Sequence, residues 1–404
     1  MKYILFISMF ISLNALTLEE CIDKTLKYHP EIKTYNLEIE KNEEVKKGIE
    51  SSYLPQLNFE ATYNINQTYL VNGETVDEDG SSIGLKLEQK IYDFGKTSSL
   101  VKASEVDKEI VKLSLENSKA SLVTKVKQLY KTLLYYNKAK EVREEELKTK
   151  EAYYVQAKAM RKEGLKTLVD ESRFLSALYS AKENLYIAQS EFNKTKKSLS
   201  LIMGEKIDKH IELDDSVLKK DFVDKNSIED NYLLKIESKN IEKNKFLQKS
   251  SQSQHYGSIN GFASYQHIDN LSEYDSKLVG VVLNIPLYTG GKISSDVQQN
   301  LINQQIAKTK KEAYSLSLKD EIQSLIFDIK RYNHTILSKQ KELELANQSK
   351  KVVEGRYKEG LATYIEVLDI SSLKLEAELG LLESYYKKSL VIDRVDYLQG
   401  SLNE

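Results

Sequence analysis

The sequence predicts an α+β fold made mostly of long coiled-coil α-helices, interrupted by two β-hairpins and built as an internal tandem repeat. Three observations predict it. Breakers are scarce, with 3 Pro and 16 Gly in 404 residues, which favours long helices over a loop-rich globule. Distinct motifs recur at one fixed spacing. The hydrophobic period also switches twice within each copy, from a helical repeat to strict alternation and back.

The spacing is 196 residues. Tyr92-Asp93-Phe94-Gly95-Lys96-Thr97-Ser98-Ser99 resembles Tyr288-Thr289-Gly290-Gly291-Lys292-Ile293-Ser294-Ser295. Lys162-Glu163-Gly164-Leu165 and Lys358-Glu359-Gly360-Leu361 share the same offset, as do Gly204 and Gly400. An unchanged offset over such a length suits rigid rods in fixed register, where one inserted residue would rotate every side chain after it. Repeat 1 is therefore placed at 16–204 and repeat 2 at 227–404, joined by a segment at 205–226.

Within repeat 1 a first helix near 17–52 breaks at His29-Pro30, because proline cannot continue a helix and restricts the residue before it. A hairpin follows at 56–92. On its first arm Leu57, Phe59, Ala61, Tyr63 and Ile65 alternate with polar residues; on its second, Ile83, Leu85, Leu87 and Ile91 do so. A polar loop around Asn72 to Gly80 separates them. Repeat 2 carries a less regular version at 256–289, with Ile259, Ala263 and Tyr265, then Val279, Val281, Leu283, Ile285 and Leu287. Each arm matches the ~9–11 residues of a tilted membrane strand. Tyr69, Tyr92, Tyr256, Tyr274 and Tyr288 stand where an interfacial girdle would lie.

The helices are predicted from their seams. Leu318, Ile322, Leu325, Ile329, Tyr332, Ile336, Leu343 and Ala346 alternate spacings of four and three, interrupted at Lys339, as a coiled-coil seam does. Leu122, Val126, Leu129, Leu133, Tyr136 and Leu147 hold the equivalent places in repeat 1. The long helix at 96–160 has about 65 residues and a rise of roughly 98 Å. The flanking helices, 17–52 and the return helix 165–203, together match that length and can lie beside it. Repeat 2 supplies 227–254, the long helix 292–357 and the return helix 361–400, whose seam runs Leu361, Ile365, Leu368, Leu375, Leu379, Leu382 and Tyr386.

The first fifteen residues read as a signal peptide. Lys2 precedes a short apolar run from Ile4 to Leu13, and Leu13-Asn14-Ala15 ends on a small residue. The run is far short of the ~20 residues needed to span a bilayer, so a single anchoring helix is disfavoured. With no other candidate helix, any membrane insertion falls to the strands. Net charge is −2 with 30% charged residues, which argues against a nucleic-acid partner. Cys21 is the only cysteine; it follows Glu19-Glu20 rather than small residues, and it shares an apolar helical stripe with Leu18 and Ile22. It reads as a packing residue.

Taken together, these residues resemble the TolC family of outer-membrane efflux proteins over essentially the whole mature chain. The cues are Leu18-Glu19-Glu20 opening the first helix, Tyr53-Leu54-Pro55 entering the first strand, and Ile285-Pro286-Leu287-Tyr288-Thr289-Gly290-Gly291 leaving the fourth. Arg356-Tyr357 before Gly360, with Val367-Leu368-Asp369, completes the set. The resemblance implies a homotrimer in the outer membrane, working with a periplasmic adaptor and an inner-membrane pump in efflux or type I secretion. Four strands cannot close a barrel, and an open edge cannot face lipid. Three chains would supply twelve strands, an even number above the smallest known barrels. The helices would then form a periplasmic tunnel closed at its far end.

The same resemblance points to gate residues. Glu366 and Asp369 match acidic positions just past the second turn that ring the closed entrance. Three residues apart on a helix, they share a face. Six carboxylates brought together by a trimer would repel one another and raise their pKa values. Asp170 and Tyr357 match two positions that latch neighbouring tips. A third, an arginine, is Ala362 here, leaving Arg356, Lys166 or Lys358 as basic substitutes. The turns at Gly164-Leu165 and Gly360-Leu361 are the expected docking points for the adaptor.

No enzyme is expected. Gly95-Lys96-Thr97 resembles the end of a phosphate-binding loop, but Lys90 occupies the place of its first glycine. His29, His210, His255, His267 and His334 lack metal-ligand spacing, so neither metal nor cofactor is implied. No Gly-x-Ser-x-Gly elbow is present. The competing reading is a soluble periplasmic coiled-coil scaffold or adaptor, which accounts for the heptads but leaves both hairpins without a role.

Overall fold

A computed structural model of the chain describes residues 17–69, 71, 73, 75–207, 215–225, 227–269 and 272–400. The expected signal peptide, parts of the 72–80 loop and of the 205–226 segment, and His210 lie outside the described residues. The described residues fall into two compact units: those within 1–33, 117–231 and 316–404 form one, and those within 34–116 and 232–315 form the other.

The elements in chain order are helices α1 (Leu18–Tyr28) and α2 (Pro30–Glu50), strands β1 (Gln56–Tyr69) and β2 (Thr75–Tyr92), and helices α3 (Lys96–Lys162) and α4 (Leu168–Met203). Then come α5 (Tyr232–Ser253), β3 (Ser258–Asp269), β4 (Glu273–Asn284), α6 (Lys292–Lys358) and α7 (Tyr364–Leu398). The two long helices each have 67 residues. No described helix is long and apolar enough to cross a membrane.

In the sheet-bearing unit the strands form one antiparallel sheet in the order β1-β2-β3-β4. Pairing in the first hairpin continues to Tyr69 opposite Thr75. The polar stretch expected to form a loop is thus largely strand, because ladder hydrogen bonds are indifferent to side-chain polarity. Register places Leu57, Phe59 and Ala61 opposite Leu87, Leu85 and Ile83. Leu85 and Leu87 in turn face Tyr265 and Ala263, and Ala263 and Ile259 face Val279 and Leu283. One face therefore carries an apolar band across all four strands. Towards the far ends of the strands, Tyr63 donates to Asp79 and Tyr265 to Asp275, both at 3.1 Å, so the band gives way there to polar partners. At the opposite end a buried Asp93 accepts from the Thr97 hydroxyl at 2.5 Å, from Tyr53 at 2.9 Å and from the Thr97 backbone at 3.0 Å, capping the start of α3. Burial alone would raise the Asp93 pKa, but those hydrogen bonds outweigh it and hold it low.

In the helical unit much of the α3 and α6 seams is buried. Val126 and Leu133 are fully enclosed, and Cys21 joins them with Tyr130, Leu199 and Met203. Burial pushes the Cys21 thiol up to about 12, so it packs as an inert apolar group. The seam of α7 departs from expectation. Leu361 and Ile365 are exposed, whereas Val367, Ser371, Ala377, Ser384 and Ser389 are buried. Small side chains let α7 approach its neighbours closely, and Lys131 of α3 meets Asp393 of α7 at 2.7 Å in the core.

Candidate functional site

The sites expected from sequence gather where α3 turns into α4 and α6 into α7. Each turn closes by the same two hydrogen bonds. The Leu165 and Gly164 amides donate to Met160 and Arg161 at 2.9 and 3.0 Å, and the Leu361 and Gly360 amides to Arg356 and Tyr357 at 2.8 and 3.1 Å. This is the Schellman pattern, in which the residue after the cap is left-handed. Gly164 and Gly360 supply it with φ of 76° and 75°, values that a side chain would strain.

The return helices start three residues later than periodicity places them, because Thr167 and Thr363 cap them. Thr167 Oγ1 accepts the Asp170 amide at 3.3 Å while Asp170 accepts from the Thr167 amide and hydroxyl, each at 2.8 Å. Thr363 and Glu366 repeat this reciprocal box at 2.7, 2.9 and 3.3 Å. Asp170 and Glu366, assigned different roles by resemblance, are thus the same position of the two repeats. The Glu366 carboxyl is held below the ordinary range, first by the Thr363 amide, then by its hydroxyl, then by Arg356. In the single chain its pKa thus moves opposite to the rise expected of a carboxylate ring. Asp369, one turn on, is exposed.

Between the turns lies a small core formed from α3, α4, α6 and α7. Phe174 is fully buried, 6.0 Å from Tyr357 and 6.4 Å from Tyr364, both edge-on. Tyr357 is also buried, and its hydroxyl has no hydrogen-bond partner among the described residues. Burial and then the charge of Asp170 raise its pKa. The Lys166 ammonium sits 4.9 Å from the Tyr357 ring centroid, a cation–π contact. The hydrogen-bonded link between α3 and α6 runs instead from Tyr153 to Glu354.

Ala362 belongs to this core at 5% exposure, so a long basic side chain would have no room there. Arg356 donates to the Leu361 carbonyl at 3.1 Å and lies 3.9 Å from Glu366. Lys166 is engaged with Tyr357, and Lys358 is exposed. Leu165 and Leu361 project into solvent at 67% and 68% exposure. Sequence reasoning missed Phe174, Tyr153, Glu354 and Lys150. Lys150 was findable: it stands three residues past Leu147 on the seam, and it is buried against the Ser371 hydroxyl at 3.1 Å.

The profile described as outer membrane efflux protein matches residues 21–205 and 248–387. Outer membrane protein TolC of Salmonella enteritidis is 26% identical over 140 residues, which span 33% of this chain and 28% of that protein. The chain superposes on the outer membrane protein VceC of Vibrio cholerae with a TM-score of 0.79 at 16% identity, over 95% of this chain and 96% of that one. With CusC the TM-score is 0.83 at 15% identity, over 96% and 93%.

Proposed function

The chain belongs to the outer membrane efflux protein family, and from that premise we propose that it is one protomer of a trimeric exit duct through the outer membrane. The observation that carries this reading is the four-stranded sheet with an apolar band on one face and both outer strands, β1 and β4, lacking a second partner among the described residues. Such edges are a liability in water and untenable in lipid. Closure by two further copies gives twelve strands with no edge. The helices then extend the duct into the periplasm, where the turns at Gly164-Leu165 and Gly360-Leu361 dock an adaptor that connects an inner-membrane pump.

Light scattering, corrected for detergent, on protein extracted from outer membranes tests this directly. A stable trimer is the expected result. A soluble monomer or dimer in the periplasm would hand the function to a coiled-coil scaffold.

The proposed gate lies at the turns. Glu366 and Asp369 supply its acidic ring, and Asp170 with Tyr357 its latch. Removing either latch group, by Asp170→Ala or Tyr357→Phe, is expected to raise single-channel conductance in planar bilayers. Unchanged conductance in both would remove the latch from the mechanism.

A further inference from the structure

The sheet's second face is uneven. Across the first hairpin it is polar, with Asn58 opposite Lys86, Glu60 opposite Gly84 and Thr62 opposite Ser82. Across the second it is interrupted by Phe262 and Ile268 on β3 and by Tyr274, Leu278 and Val282 on β4. Register sets Phe262 opposite Gly280, Leu278 opposite Ser264 and Val282 opposite Asn260, so these three share the face that carries the charges and not the apolar band. Leu278 and Val282 are 55% and 47% exposed.

Gly280 is what lets the aromatic ring lie against the wall. A Cβ there would stand 2.7 Å from the Phe262 ring edge, closer than any real contact, so an alanine would lift the ring. The neighbouring charges are satisfied locally. Lys86 pairs with Glu88, the register partner of Phe262, at 2.8 Å, and Lys90 lies 3.9 Å from Asp93. A ligand's charge would gain little beside groups already paired, whereas its apolar surface would be taken out of water.

We propose that Phe262, Leu278 and Val282 form an apolar contact strip inside the barrel lumen that favours uncharged lipophilic cargo bearing an aromatic group. The inference rests on the duct reading, since only in a closed barrel does this face line water. Trimer closure would set three strips around the lumen, separated by the charged sectors of the first hairpin.

The chain contains no tryptophan, so Phe262→Trp gives a single fluorescent reporter on the strip. The protein would be reconstituted as the full assembly in phosphatidylcholine vesicles. Para-nitrobenzyl alcohol, an uncharged aromatic quencher, is the probe. Quenching of Phe262→Trp is expected to saturate, with an initial slope about fivefold above that of Thr62→Trp on the polar part of the same face, as one aromatic contact would give. Adding Leu278→Asn to Phe262→Trp should abolish the saturable part. Leu278→Trp serves as the reporter if Phe262→Trp does not assemble. Linear quenching with equal slopes at both positions would overturn the strip while leaving the duct intact. Val281→Trp marks the lipid face and should be quenched by brominated phosphatidylcholine. If Phe262→Trp behaves like Val281→Trp and resists aqueous acrylamide, the lumen assignment fails, and the duct reading with it.

Discussion

The two helical turns have nearly the same backbone and different chemistry. Both close on a left-handed glycine, and both open the return helix with a threonine capping box. At the first turn the boxed acid, Asp170, is buried at 9% exposure beside Tyr357, and its neighbour Glu171 meets Arg161 at 2.5 Å. At the second, Glu366 is half-buried and faces Arg356 at the edge of solvent. Repetition fixes the bend at each place. The residues between the repeated ones decide which acid belongs to the core and which is presented outward.

Phe174→Ala would break the comparison most severely. Phe174 belongs to the first turn's helix yet packs on Tyr357 and Tyr364 of the second, and it has no aromatic counterpart 196 residues on, where Ile370 stands. Its loss should cost about 3–5 kcal/mol of local stability. Amide hydrogen exchange should show faster opening at both turns; fast exchange at the first alone would mean the shared core is not what couples them.

A smaller effect is expected from the caps. Thr167→Ala and Thr363→Ala should each cost about 1 kcal/mol. Because the boxes have matching geometry, hydrogen exchange in the first turns of α4 and α7 should accelerate alike. A clear inequality would show that burial of Asp170 reinforces one cap beyond its hydrogen bonds.

The mildest change is acidification. The Glu366 carboxyl has its pKa lowered by the cap, so its contribution is fully present above the unfolded glutamate value. It is lost as pH falls through the depressed folded value. Exchange at the start of α7 should therefore speed up below the ordinary glutamate range, and Glu366→Gln should flatten that dependence. A pH profile unaltered by Glu366→Gln would separate the cap from the titration.

Much of the architecture was legible because its determinants are local. The fixed offset marked both turns, proline marked the break after α1, and alternation marked the apolar band. The less regular second hairpin was legible only in part. Its alternation gave Val279, Val281 and Leu283 one face and put Phe262, Leu278 and Val282 on the other side of their own strands, but no local pattern shows that these three come together on one face of the sheet. The register that pairs Phe262 with Gly280 does. Among the gate candidates, resemblance supplied Asp170, Glu366, Asp369 and Tyr357. It could not reveal that Asp170 and Glu366 also cap their own helices.

The sequence by itself determined the repeat, the helix lengths, the turns and the apolar band of the strands, since each follows from periodicity and backbone chemistry within a short stretch of chain. Only the tertiary structure decided which side chains meet: Tyr153 with Glu354, Lys131 with Asp393, and Phe174 between the two turns. Those contacts join residues about 180 to 260 positions apart, and their geometry is set by how helices pack, which no local pattern encodes.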